Sequence, residues 1–97
     1  MPSGSIEPFK KELAAYYDCN AKGAMVVWRQ QGDPVSLATA VRGICQTEEA
    51  ALQKAMVRGR TVRFAESMIR HARRVVLERT AADIVKYRAR EAIKGKH

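Results

Sequence analysis

Gln31-Gly32-Asp33-Pro34-Val35 is the stretch that decides the fold. Glycine suits the left-handed residue that follows a helix end. Aspartate accepts hydrogen bonds from the free N–H groups that open the next helix. Proline takes the first position of that helix, where its missing N–H leaves nothing unpaired. Before this punctuation, Phe9, Leu13, Tyr16, Tyr17, Ala24, Val27 and Trp28 recur at steps of three and four. They therefore share one helical face. With Pro8 suited to a first turn, the pattern predicts a helix from Glu7 to Gln31. After the punctuation, Leu37, Val41, Ile44, Cys45, Leu52, Ala55 and Met56 form a second stripe. It predicts a helix from Pro34 to about Arg58. A link this short folds two amphipathic helices into an antiparallel hairpin. Gly23 lies inside the first helix at a cost of about 1 kcal/mol relative to alanine. It marks a close approach or a slight bend.

The two cysteines flank the turn symmetrically. Cys19 lies 13 residues before Gly32 and Cys45 lies 13 after it. At about 1.5 Å rise per residue, both sit roughly 20 Å from the turn and at the same height. Each is on or beside the apolar stripe of its helix. This placement predicts a Cys19–Cys45 disulfide, which would stabilise the fold by roughly 3–4 kcal/mol in the chain-entropy account. Such a bond points to an oxidising compartment, so the protein is expected to be periplasmic or secreted. The alternative is a cytoplasmic protein whose two cysteines are free, buried and act as small hydrophobes. No apolar h-region follows Met1, which by itself favours the cytoplasm; export would require that a signal has been removed. With no C-x-x-C and only two histidines, no metal site and no cofactor are expected.

Beyond Gly59 the phase of the apolar stripe changes. Phe64, Met68, Ile69, Ala72, Val75 and Val76 form a new face, predicting a helix from about Thr61. Thr80-Ala81-Ala82-Asp83 has a capping-box pattern. It predicts a last helix over Ala81 to Lys94 with Ala81, Ile84, Val85, Ala89 and Ala92 on one side. The other reading is one long kinked helix from Thr61 to Lys94. No sustained alternation suggests a strand. The expected fold class is all-α: a disulfide-clasped antiparallel hairpin followed by one or two further amphipathic helices. Residues 1–6 read as a flexible lead and 7–97 as a single helical domain, with the hairpin over 7–58 and a basic segment over 59–97.

The charge is polarised. Residues 1–57 hold six bases and six acids, whereas residues 58–97 hold twelve bases and four acids, so the whole net charge of +8 lies in the second part. On a helical wheel Arg60, Arg63, Arg70, Arg73 and Arg74 fall in one arc, the candidate anion-binding residues. Such a face suits nucleic acid, anionic lipid headgroups or an acidic protein. The arc has no aromatic residue for base stacking, so nucleic acid is the less favoured partner. If the segment after Gly59 leaves apolar surface open, a second copy of the chain is the simplest cover, as a homodimer. The longest apolar run, Ala24 to Trp28, is far below the roughly 18 residues of a membrane span.

Catalysis is not expected. The sequence has no phosphate-cradling loop, no dinucleotide fingerprint, no H-E-x-x-H and no G-x-S-x-G. His71 has no nucleophile or carboxylate paired with it in sequence and reads as exposed. Glu48 and Glu49, being adjacent on a helix, point about 100° apart and read as solvated surface. Tyr16, Tyr17 and Trp28 read as core. The sequence thus describes a small exported helical interaction protein whose basic C-terminal half meets an anionic partner. The alternative is a cytoplasmic nucleic-acid-binding protein with free thiols.

Overall fold

The structure, a computed structural model, describes residues 7–58 and 60–95. The lead over residues 1–6 and Gly59, each given a reading above, lie outside the described residues. A single 3₁₀ turn, Glu7–Phe9, leads into α1 (Lys10–Val27), followed by α2 (Pro34–Ile44), α3 (Gln46–Val57) and α4 (Val62–Lys94). Among the described residues there is no strand.

The turn forms as its chemistry dictates. Gly32 holds φ at 131°, a backbone conformation that side chains disfavour. Asp33 caps α2, accepting from the Ser36 backbone N–H at 3.0 Å and the Ser36 hydroxyl at 2.6 Å. Those bonds, the hydroxyl's first, hold the Asp33 carboxyl below its ordinary pKa.

Two predicted helices differ from what is found. The first ends at Val27, not at Gln31. Val26, Val27 and Trp28 are weak helix formers, and the carbonyls released there have another partner. Arg88 of α4 donates from Nε to the Trp28 carbonyl at 2.9 Å and from Nη2 to the Gln30 carbonyl at 2.7 Å. The second predicted helix breaks at Cys45 (φ −92°, ψ 25°), giving α2 and α3. Gly43, two residues earlier, weakens the last turn of α2. The corner lets α2 and α3 each keep an apolar face against α1 and α4. The predicted hairpin is therefore α1 against a bent α2–α3 arm.

The core lies in two clusters. One joins Phe9 and Tyr16 of the N-terminal part to Leu52, Ala55 and Met56 of α3 and Ala65, Ile69, Ala72 and Val76 of α4. The other joins Ala24 and Val27 of α1 to Leu37, Val41 and Cys45 of α2 and Ile84 of α4. The start of α1 thus sits beside the start of α4, and the end of α1 beside its middle. So α1 and α4 run parallel, and the α2–α3 arm runs back between them. Gly23 is where α1 meets α2 most closely: a Cβ there would overlap the Val41 side chain.

Residues 62–94 form one helix, not two. Ala65, Ile69, Ala72, Val76, Thr80 and Ile84 make one continuous buried stripe. Thr80, predicted to cap a helix, is instead a buried residue inside one. Arg79 needs no break either: it is exposed, with its guanidinium 5.2 Å from the Tyr17 ring centre. Beyond Arg88 every described residue to Gly95 is exposed. No helix among the described residues is long and apolar enough to cross a membrane.

Candidate functional site

The helical spacing of α4 decides where its arginines go. Arg63, Arg70 and Arg74 step by seven and four residues, so they stay within roughly 40° of one line along the helix. That line is opposite the buried stripe, and all three are exposed. None forms an ion pair or hydrogen bond among the described residues. Glu66 and Glu78, each one turn from an arginine of the line, are not drawn into ion pairs with it. Over about 16 Å of helix the surface is therefore a row of unneutralised guanidinium groups. Ser67 and His71 flank this row on one side, and Ser67, Met68, Arg70, His71 and Arg74 line an open depression. Ser67 was not singled out from sequence; its offsets of four from Arg63 and three from Arg70 are the signal that places it there, whereas Met68 belongs to the apolar face read from sequence.

The other two arginines of the predicted arc are engaged. The Arg60 guanidinium sits between two rings, 5.5 Å from the centre of Phe9 and 5.4 Å from that of Phe64. This cation–π seat covers the start of α4. Arg73 turns inward, and its Nε donates to Glu49 Oε2 at 2.7 Å. So the five predicted residues divide into three that face solvent together and two that serve the fold.

Glu49 is the residue that departs most from its predicted solvated state. Its side chain is only 12 % exposed. Besides Arg73, it accepts from the Tyr16 hydroxyl at 2.9 Å and pairs with Arg42 Nε at 3.4 Å. One carboxylate in the first turn of α3 thus ties together all four helices, at a helix end that favours negative charge. Burial, and then the bond to Glu49, raise the Tyr16 pKa. Glu48, its neighbour, makes no hydrogen bond or ion pair among the described residues. It lies half-buried beside the cysteines.

Cys19 and Cys45 are joined, with Cα atoms 6.0 Å apart, as the equal offsets from Gly32 predict. The bond fastens α1 to the corner between α2 and α3. There are no free cysteines. Between α1 and α4 a groove of about 330 Å³ is lined by Tyr17, Asn20, Thr80 and Asp83 among others. Asn20 is buried there, donating from Nδ2 to the Tyr16 carbonyl at 2.9 Å. His71, on the far side of α4 from this groove, is exposed, and among the described residues it makes no hydrogen bond, to Ser67 or to any other side chain. Comparison with family models, with curated proteins and with solved structures finds no match to this chain.

Proposed function

We propose that this protein is a non-enzymatic docking module that meets an anionic macromolecule through the outer face of α4. The observation that carries the reading is the row of Arg63, Arg70 and Arg74, exposed, aligned and unpaired among the described residues. Exposed guanidinium groups with no internal carboxylate are ready to form charge-assisted contacts with phosphate, sulfate or carboxylate. The bundle supplies a rigid support, so the spacing of the three is set before the partner arrives. The Cys19–Cys45 bond supports an exported protein, periplasmic or secreted, since such bonds persist in oxidising compartments. Nucleic acid in the cytoplasm, with both thiols free, is the reading this bond disfavours.

The test is retention on heparin resin. Arg63→Glu, Arg70→Glu and Arg74→Glu combined should abolish it. Lys10→Glu, Lys11→Glu and Lys22→Glu combined, the same change in net charge on α1, should leave most of it. Retention by the parent should fall steeply with salt, because released counterions drive the contact. Equal losses from the two triple variants would show that net charge alone is at work, and the docking face would be abandoned.

A further inference from the structure

We infer that Cys19, Cys45 and Glu48 form a second kind of clasp when the disulfide is reduced: a three-residue site for a zinc ion, Zn²⁺. The two sulfur atoms and a carboxylate oxygen of Glu48 all lie within 4.8 Å of one another. Tetrahedral zinc takes such a donor set, thiolate sulfur at about 2.3 Å and carboxylate oxygen at about 2.0–2.2 Å, with water in the fourth position. The Cα separation of 6.0 Å leaves two sulfurs free to part and share one ion.

Three features point to a ligand set and not to a chance neighbour. Glu48 has no other partner among the described residues, whereas the adjacent Glu49 is held by three. Cys45 stands at the corner as C-cap of α2 and N-cap of α3, and its side chain makes no capping hydrogen bond, so its sulfur is committed to no cap. The thiolate is the form that binds metal. Finally, Cys45 is fully buried while Cys19 and Glu48 are half-buried. The anchored sulfur is fixed by the core, and the ion has an approach from the side of the other two.

The chemistry balances with a dithiol as reductant. The dithiol gives two electrons and two protons, closes to its own disulfide, and leaves Cys19 and Cys45 as thiols. Zinc capture then breaks two S–H bonds, passes both protons to water, and forms two Zn–S bonds and one Zn–O bond. Reduction therefore exchanges one link between α1 and the α2–α3 corner for another. This site is separate from the arginine row on α4, and the docking reading does not depend on it; the exported location rests on the same bond in its oxidised form.

Cobalt(II), a spectroscopic substitute for zinc, tests the site in the full chain. Phosphine-reduced protein with one equivalent of cobalt should show a thiolate-to-cobalt charge-transfer band and the visible bands of a tetrahedral ion. One equivalent of zinc should remove them. The oxidised protein should show neither. Cys19→Ser should cut the charge-transfer intensity by about half, since one thiolate remains. Glu48→Gln should weaken the affinity at least about tenfold, the minimum expected for loss even of a supporting group. Circular dichroism is read alongside. Helix that is lost on reduction and restored by zinc would support the site as folding coupled to binding. Absence of the bands in the reduced chain, folded or not, would overturn it, as would Glu48→Gln binding cobalt with unchanged affinity.

Discussion

Tyr16 and Glu49 are 33 residues apart in sequence, and their bond is the point where α1 meets the first turn of α3. The Tyr16 ring is fully buried and its pKa is raised above the ordinary 10.0, first by burial and then by the carboxylate it serves. A group whose pKa is higher folded than unfolded contributes stability that is complete below the unfolded value and lost as pH rises through and above it. The urea midpoint should therefore hold steady on the approach to 10.0 and fall beyond it. Tyr16→Phe removes the ionisable group, so its alkaline decline should be shallower than the parent's. At neutral pH the same change should cost about 1.5–3 kcal/mol, the bond to a charged acceptor. Identical alkaline slopes for parent and variant would show that Tyr16 does not carry the effect. None of this was legible locally. Glu48-Glu49 reads as a polar pair on a helix surface, and Arg73, another partner of Glu49, is 24 residues away. Only the packing of four helices brings Tyr16, Arg42 and Arg73 to one carboxylate and leaves the other glutamate unused.

At the scale of elements, the contact of α1 with α2 rests on the missing side chain of Gly23. Helix propensity alone favours Gly23→Ala by about 1 kcal/mol. The new Cβ, however, would overlap the Val41 γ-methyls, and Val41 is fully buried. A β-branched side chain has little rotamer freedom with which to yield, and overpacking of this kind costs about 1–3 kcal/mol. Gly23→Ala should therefore lower stability by roughly 1 kcal/mol net. In a Val41→Ala background the same change should become neutral or stabilising. Chemical denaturation of the four proteins of that cycle reads the coupling directly; additive effects would mean that the helices do not touch through this pair. The close approach, the capped turn at Asp33 and the cysteine register were all readable, because each depends on residues near a single turn. The corner at Cys45 was not. Its stripe continues across the break, from Leu37 and Val41 to Leu52 and Met56, so periodicity sees one helix. For α4 one helix and two were both readable, and the sequence did not choose between them. Thr80 is a polar residue at a buried position, and Arg79 is a charge beside it, so a continuous stripe looked interrupted. In the same way the arginine arc was found in outline, but Arg60 and Arg73 could be separated from Arg63, Arg70 and Arg74 only by what packs against them.

The whole molecule is 56 Å long but only 26 and 17 Å in its other dimensions, and α4, at about 50 Å, accounts for that length. Its last turns, from Ala89 to Gly95, are exposed on every side. Arg88 marks the end of the packed part, because it is the last residue of α4 that bonds to another element. The overhang buries no core, and the surface it exposes on unfolding differs little from what it exposes when folded. Since the slope of stability against denaturant follows the surface newly exposed, a chain ending at Arg88 should keep the slope and nearly all of the urea midpoint. A loss of a few tenths of a kcal/mol is expected from removing the basic residues Arg90 and Lys94, which suit a helix C-terminus. Retention on heparin should also survive, because Arg63, Arg70 and Arg74 lie in the packed half and are untouched. If the bases of the overhang were the docking charges, retention would fall with the truncation while the urea midpoint stayed put. If a second copy of the chain covers Val85 and Ile93, exposed by 52 % and 71 % in the single chain, the midpoint would instead depend on protein concentration in the parent and not in the truncated form. Measuring midpoint and retention on the same two chains therefore separates a passive overhang from a docking end and from a dimer face.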